Sequence, residues 1–209
     1  MKSKLVGMAG GFAYVFIAVT SMPVHAEEIH SAITGSSVCL GLGEDDTCRG
    51  TVSHTVSKQL KNNGKKYNKD GSTGVGYSDT TFSPGDVDLG LPYPFDSASY
   101  CFEDGTTPGF VFTYDYASAV STRPNGDLVY VELDVDDPRT SSICVAAFEN
   151  RYEVTLYRKI TGGTGQYAGA CGWVDFNGTG KFLPPVPALS FSTIEGTQVG
   201  EIFVGDDCP

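Results

Sequence analysis

The chain has 209 residues, a formal net charge of −11, 26 glycines and six cysteines, and 40% of its residues are hydrophobic. A strongly acidic surface repels polyanions, so this composition disfavours binding to nucleic acid or to an anionic membrane. After the amino-terminal segment, no apolar stretch approaches the ~20 residues of a spanning helix, so we expect no membrane span once a signal segment is removed.

The first 26 residues have the organisation of a secretory signal peptide. Lys2 and Lys4 precede an apolar run from Leu5 to Val19, and the segment ends in Val24-His25-Ala26. Val24 and Ala26 are small residues at the positions that a signal peptidase reads. We therefore predict a secreted or periplasmic protein whose mature chain begins near Glu27.

The remainder of the chain is predicted to form one domain, because about 180 residues suffice for a single core. Residues 27–96 contain a polar, glycine-rich stretch, NNGKKYNKDGSTGVG, that shows no apolar period. We expect 27–96 to be a loop-rich amino-terminal part that contributes the first strand or strands. Residues 97–209 are expected to form the main portion of the same domain.

The cysteines all follow the signal segment, and their number is even. An even count in an exported chain favours disulfide bonds. A zinc site is disfavoured because the chain has no C-x2-C pair and no histidine beside a cysteine. The loop between Cys39 and Cys48 is short enough for a local bond, and the other pairings are left open among 15 connectivities. The candidate disulfide cysteines are Cys39, Cys48, Cys101, Cys144, Cys171 and Cys208.

Strand-like runs alternate with turn signals along the whole chain. The pairs Asp104-Gly105, Asn125-Gly126 and Asn177-Gly178 are flanked by β-branched or aromatic residues, a pattern typical of tight hairpins. No amphipathic helix is found. The predicted strands are Thr51–Leu60, Ser97–Phe102, Gly109–Ala117, Leu128–Val135, Ile143–Phe148, Tyr152–Ile160, Ala168–Phe176, Ala188–Ile194 and Gln198–Val204.

This pattern predicts an all-β fold built from successive antiparallel hairpins. A meander of about eight strands closes naturally into an up-and-down β-barrel, which removes the exposed edges of an open sheet. We therefore predict a disulfide-stabilised antiparallel β-barrel with a loop-rich amino-terminal part. A two-sheet sandwich is the alternative architecture.

The glycine-rich stretch ITGGTGQYAGACGWVDFNGTG, residues 160–180, resembles at first sight a nucleotide-binding loop. Such a loop requires a helix after its glycines, and Gly169 and Gly172 would each cost about 1 kcal/mol in a helix interior. We interpret Gly162 to Gly165 as a turn between strands. Gly169 and Gly172 then mark close backbone approach or curvature in the next strand. No cofactor is predicted.

Within this stretch, ITGGTGQYAGACG resembles a motif of the dirigent and allene oxide cyclase-like barrel proteins, a family with secreted bacterial relatives. The resemblance covers Tyr152 to Phe182. It implies an eight-stranded barrel whose mouth accepts a small apolar molecule, and an activity that steers cyclisation or coupling of a reactive ligand. The matching positions are turn and packing residues, so the resemblance assigns no catalytic residue.

The segment FVFTYDY supplies the best candidates for a ligand pocket. Its alternation places Phe110, Phe112, Tyr114 and Tyr116 on one face of a strand. Together with Trp173 they are the candidate ligand-binding residues. The alternative is that these aromatic side chains only fill the core.

Acidic residues alternate in the same way through VYVELDVDD. Calcium binding is one interpretation of this face, and a solvated outer face is the other, which fits equally well. Since no calcium-binding loop motif accompanies these residues, no metal site is predicted. Paired carboxylates such as Glu149 and Glu153 are available for acid–base hydrolysis, but no feature fixes their separation. The face consists of Tyr130, Glu132, Asp134 and Asp136, with Asp115 and Asp137 as further oxygen donors.

We therefore expect a secreted β-barrel that binds a small apolar or aromatic molecule in its cavity, and the sequence is compatible with an oligomer. Two alternatives stay open. The same cavity could be that of a cyclase or isomerase, which needs little beyond placement of the ligand. The barrel could instead be solidly filled and serve as a structural or surface-interaction protein.

Overall fold

The computed structural model describes residues 25–42, 47–59, 71–92, 96–183, 190–205 and 208. This part of the chain contains eleven β-strands, one 3-10 turn at Gly165–Tyr167 and no α-helix, which confirms the all-β prediction. Of the predicted signal peptide, only residues 25 and 26 are described, and they begin β1. The strands are β1 (His25–Leu42), β2 (Thr47–Gln59), β3 (Thr73–Ser83), β4 (Val87–Asp88), β5 (Ser97–Ala98), β6 (Gly109–Thr122), β7 (Leu128–Leu133), β8 (Ser142–Ala146), β9 (Arg151–Gly163), β10 (Cys171–Phe182) and β11 (Ser190–Val204).

Nine of these strands form one sheet, in the order β10-β11-β1-β2-β3-β6-β7-β9-β8. β9 pairs in addition with β10, and β6 pairs in addition with β8. β7 and β8 therefore occupy successive stretches of a single position between β6 and β9. β4 and β5 form a separate two-stranded ribbon. Every pairing is antiparallel, as predicted, whereas closure into a barrel stays a prediction.

Two of the three predicted turn pairs are confirmed as turns. Gly126 has φ +89° in the turn between β6 and β7, and Gly105 has φ +64° after a hydrogen bond from its amide to the Phe102 carbonyl. Glycine adopts this left-handed conformation without steric cost. In both places the sequence signal and the backbone geometry agree.

The third predicted turn, Asn177-Gly178, is wrong. Both residues lie inside β10, where Asn177 is opposite Thr197 of β11 and Thr155 of β9. Pairing on both sides satisfies the backbone, so the local turn preference of Asn-Gly is overridden. Gly178 serves close packing instead, because a Cβ there would lie 2.6 Å from the Phe176 ring.

The carboxyl-terminal strands differ from prediction for the same reason. The runs predicted as Ala188–Ile194 and Gln198–Val204 belong to one strand, β11. Gly196 does not end that strand, since it pairs with Gly178 in register, and a Cβ there would overlap the Asn177 carbonyl oxygen. Glycine inside a strand thus marks close backbone approach.

The amino-terminal part contains more strand than predicted. β1 was not predicted, β3 begins within the stretch interpreted as a loop, and both are long. Their buried positions include small and polar residues, such as Ser31 beside Ile29 and Ile33, and Thr80 beside Phe82. Strands are recognised in a sequence by the alternation of apolar and polar residues. Where serine, threonine or glycine occupies the buried positions, this alternation is not visible.

The predicted turn at Gly162 to Gly165 is confirmed only in its second half, because Gly162 and Gly163 lie inside β9 and pair with β7. β9 ends at Gly163, the 3-10 turn follows, and β10 begins at Cys171. Gly172 has φ +133°, and a Cβ there would overlap the Glu201 carbonyl oxygen of β11. The predicted close backbone approach is therefore confirmed at Gly172, whereas the same prediction is wrong at Gly169, which lies in the turn before β10 with open space at its Cβ position.

Two disulfide bonds tie the ends of loops to the sheet. Cys101 bonds to Cys144 of β8, and Cys171 at the start of β10 bonds to Cys208, with a Cα–Cα distance of 5.8 Å in each pair. These pairings confirm disulfides for four of the six candidate cysteines. The side chains of Cys39 and Cys48, and with them the predicted local bond, lie outside the described part of the structure.

Candidate ligand-binding cavity

A cavity of about 70 Å³, partly open to the surface, lies between the faces of β1, β3, β6, β9, β10 and β11. Bulky apolar side chains line one part of it, whereas β3 and β6 contribute mainly small residues. Because Gly76, Ala117 and Ala119 cannot fill the space before them, a void persists in an otherwise packed interior. The bulky lining residues are Ile33, Val154, Leu156, Phe176 and Ile194.

A second interior cavity, of about 30 Å³, adjoins the first. The two share Ala119, Arg158 and Gln198 as lining residues, so Arg158 stands where they meet. Arg123 also lines the second cavity. No aspartate or glutamate is found among the described residues that line either cavity. The interior is thus positively charged although the chain as a whole is acidic.

Arg158 carries a buried charge without a matching partner. Its relative exposure is 7%, and its Nε and Nη2 atoms have no hydrogen-bond partner within the described structure. The ring of Phe176 lies 5.9 Å from its guanidinium carbon. Burial lowers the pKa of Arg158 to about 10, since a low-dielectric interior disfavours the charged form.

Arg123, in contrast, is neutralised within the protein. Its Nη2 lies 3.9 Å from Glu27 Oε1, and its guanidinium carbon lies 5.0 Å from the centre of the Tyr167 ring. The Tyr167 hydroxyl donates a hydrogen bond to Glu27 Oε2 at 3.0 Å. Of these two arginines, Arg158 is therefore the one whose charge is left for a ligand to neutralise.

Two tyrosines, Tyr77 and Tyr114, line the larger cavity, and Tyr114 is the more buried of the two. Burial raises the pKa of its hydroxyl above the ordinary value, the nearby Tyr152 acts in the same direction, and Arg158 opposes both. Tyr114 is therefore a neutral phenol at physiological pH. In this form its hydroxyl can donate a hydrogen bond to a molecule in the cavity.

Of the five candidate ligand-binding residues, only Tyr114 lines the cavity. Phe110 and Phe112 are buried, but they pack with Phe82 and Ala98 in a separate core cluster. The core-filling alternative therefore describes these two side chains.

The prediction that four aromatic side chains share one face is wrong at Tyr116. The pairing of β3 with β6 shifts register between Asp79 and Thr80, where Tyr116 and Tyr114 are their partners and Asp115 is the extra residue. Such a bulge reverses the alternation, so Ala117 turns inward and Tyr116 is 47% exposed.

Trp173 also lies at the surface and lines neither cavity, so its assignment as a ligand-binding residue stays a prediction. It is 39% exposed, whereas its neighbour Val174 is buried in the core. Alternation along β10 allows only one of these two residues to face inward.

Sequence reasoning missed Arg158, yet a signal for it exists. Along β9 the residues Tyr152, Val154, Arg158 and Ile160 are buried, and Leu156 packs against the core. An arginine that interrupts an apolar strand face is unusual, because a charged residue is almost never fully buried without a partner. The alternation therefore identifies Arg158 as a candidate functional residue.

Several of the acidic residues considered for calcium or hydrolysis pair with arginines outside the cavities. No group of three or more potential ligands capable of holding a metal ion occurs among the described residues. Asp137 and Asp175 accept hydrogen bonds from Arg139, which also lies over the Tyr157 ring at 3.9 Å. Glu149 and Glu153 both pair with Arg151. These contacts hold loops against the sheet.

The pairing of Asp137 with Arg139 predicts a contribution to acid stability. Hydrogen bonds from Arg139 lower the pKa of Asp137 from 3.8 to about 2. A lowered pKa in the folded state stabilises the protein above the unfolded value, and the contribution is lost as the pH falls from about 4 towards 2. We expect Asp137→Asn to flatten this part of the curve of unfolding free energy against pH, measured by urea denaturation.

The matched control for this experiment is Asp136→Asn. The side chain of Asp136 is 89% exposed and lies 3.9 Å from Lys159. An exposed ion pair at this distance contributes little to stability. We therefore expect the unfolding free energy of this variant to fall between about pH 4 and pH 2 with the same slope as that of the wild type. If the unfolding free energies of the wild type and Asp137→Asn change equally steeply with pH in this range, the Asp137–Arg139 pair makes no contribution to acid stability and the prediction is wrong.

Comparisons with protein-family models, curated proteins and solved structures give no match to this chain. Within the described ranges, no helix is long and apolar enough to cross a membrane. The resemblance of the glycine-rich segment to the dirigent and allene oxide cyclase-like family therefore stays a prediction.

Proposed function

We propose that this chain is a secreted, closed antiparallel β-barrel that binds a small molecule in its interior cavity. The cavity between the bulky side chains of β9 to β11 and the small residues of β3 and β6 carries this proposal. A protein with a purely structural role gains stability by filling such a space, since voids forfeit dispersion contacts. The cavity therefore favours ligand binding over the alternative of a filled core.

Closure of the sheet is supported by the order of its pairings. Each strand from β1 to β3 pairs with its neighbour in the chain, β3 pairs with β6, and β6 with β7 and β8. The series continues through β9, β10 and β11, and β11 pairs with β1 over most of its length. Strand order that follows chain order in this way is that of an up-and-down barrel.

Secretion is supported by the signal-like amino-terminal segment together with the two disulfide bonds. Disulfides form and persist in oxidising compartments, such as the extracellular medium or a periplasm. Both bonds join segments more than 30 residues apart, since the sequence separations are 43 and 37. The two bonds therefore connect distant parts of the folded chain, as is common in exported proteins.

The volume of the cavity limits the ligand to a small one. An apolar cavity of ~150 Å³ holds one benzene molecule, so about 70 Å³ corresponds to a group of only a few non-hydrogen atoms. The adjoining cavity of about 30 Å³ extends the space past Arg158. A ring-sized ligand requires that a lining side chain move. The cavity therefore favours a short aliphatic or single-ring molecule.

Filling the cavity tests the proposal. We expect propionamide and benzamide, two small neutral probes, to shift the methyl resonances of Ile33, Val154 and Ile194 in NMR spectra of the wild-type protein. Ala119→Leu places a larger side chain between the two cavities, so these shifts should fall at least tenfold at equal probe concentration.

Ala168→Leu is the matched control, because Ala168 is exposed in the turn before β10. It adds the same atoms outside the cavity and should leave the probe-induced shifts unchanged. If neither probe perturbs the interior methyl groups of the wild type, the protein is a filled structural barrel and the proposed function is wrong.

A further inference from the structure

The unpartnered atoms of Arg158 form one geometrically defined edge. Nε and Nη2 are the two nitrogens whose N–H groups point in parallel along one side of the guanidinium plane. Both are buried, and neither has a hydrogen-bond partner in the described structure. This edge matches the two oxygens of a carboxylate, which accept its two N–H groups in a bidentate pair.

None of the carboxylates in the described ranges meets this edge. Asp175, the acidic residue whose charge acts on Arg158, accepts a hydrogen bond of 2.8 Å from Arg139 on the outer side of β10. Glu27 is held by Arg123 and Tyr167. Burying an unpaired charge is costly, so a partner from outside the chain is the simplest way to neutralise Arg158.

The surroundings of Arg158 select among anions. The walls beside it are apolar, with Leu156, Phe176 and Ile194 in the larger cavity and Ile160 and Val174 in the smaller one. An inorganic anion would neutralise the charge but leave these walls without a contact. A single guanidinium also matches one negative charge better than the two of a phosphate. A monoanion with an apolar tail satisfies both the charge and the walls.

We propose that the cavity binds a small organic monocarboxylate, whose carboxylate pairs with Nε and Nη2 of Arg158 and whose apolar tail contacts Leu156, Phe176 and Ile194. This inference rests on the proposed function, since it names the chemical class of the ligand for the same cavity. The Tyr114 hydroxyl lies in the same cavity as a further hydrogen-bond donor.

Pairs of probes that differ only in charge test this inference. Propionate is compared with propionamide, and benzoate with benzamide, by NMR titration of the full chain in a chloride-free buffer. We expect each carboxylate to bind the wild-type protein at least tenfold more tightly than its amide. Arg158→Met should abolish this preference, so that each carboxylate binds no more tightly than its amide, and Arg158→Lys should retain only part of the preference because lysine offers no bidentate edge.

Arg139→Met is the control for a general loss of positive charge, since Arg139 lies on the outer surface and pairs with Asp137 and Asp175. It should leave the preference for carboxylates unchanged. Sodium chloride and sodium formate serve as competitors without an apolar tail, and each should displace propionate only weakly.

The possible outcomes separate the two proposals. If wild type binds each amide as tightly as its carboxylate, or if Arg158→Met keeps the preference, the carboxylate inference is overturned while the cavity function stands. If chloride or formate competes as well as propionate, the site takes inorganic or tailless anions and the inference is likewise overturned. If no probe of either charge reaches the interior methyl groups, the proposed function itself fails.

Discussion

Removing the Cys101–Cys144 disulfide by a double change to alanine is expected to lower the free energy of unfolding by about 4 kcal/mol. The bond closes a loop with a sequence separation of 43, and loop-closure entropy in the unfolded chain gives this magnitude. Alanine is preferred to serine because Cys144 is buried, and a hydroxyl there would add an unsatisfied polar group. With a denaturant slope of about 2 kcal/mol per molar urea, the midpoint should fall by about 2 M.

The second disulfide provides a comparison of nearly equal loop length. Cys171–Cys208 has a sequence separation of 37, so chain entropy alone predicts almost the same loss for its double alanine variant. Around Cys101, however, the buried Phe102 ring supports the Arg151 guanidinium at 4.2 Å, and Arg151 in turn binds Asp104. A clearly larger loss for Cys101–Cys144 would show that this packing adds to the entropic effect. Unchanged midpoints for both variants would contradict a stabilising role for the bonds.

The fold was predictable where local chemistry and long-range pairing favour the same structure. Asn125-Gly126 connects consecutive strands and forms a turn, as its sequence indicates. Asn177-Gly178 is the same residue pair, but it lies between two long partner strands and lacks the turn-favouring proline, Pro124, that precedes Asn125-Gly126. Backbone hydrogen bonds to strands on both sides outweigh this local turn preference.

The site was less predictable because one β-bulge in β6 changes which of its aromatic side chains face inward. Strict alternation through FVFTYDY places Tyr116 beside Tyr114, and the register shift opposite Asp79 removes it from that face. No glycine or proline in the segment marks this irregularity. Arg158, in contrast, could have been identified from the sequence, because the apolar residues on either side of it along β9 alternate as those of a buried strand face do. A charged residue at an inward position indicates function more directly than an aromatic one does.

Replacing Arg158 with methionine is expected to raise the free energy of unfolding of the ligand-free protein by about 1–4 kcal/mol. Methionine has a similar length and no charge to desolvate, and even buried ion pairs can be replaced by apolar residues with gains of this size. The change also removes two buried N–H groups that have no partner in the described structure. Urea denaturation of the wild type and the variant in carboxylate-free buffer measures the difference.

The same variant is expected to lose its advantage when ligand is present. A carboxylate at about 100 times its wild-type Kd stabilises the wild-type protein by about 2.7 kcal/mol, and it should stabilise Arg158→Met by about 1.4 kcal/mol or less because the variant binds it at least tenfold more weakly. Stability and binding would then oppose each other at this one position, as expected of a residue retained for its ligand rather than for the fold. If Arg158→Met instead destabilises the ligand-free protein by about 3–5 kcal/mol, the loss characteristic of a broken buried pair, the guanidinium has a partner within the chain and its role is structural.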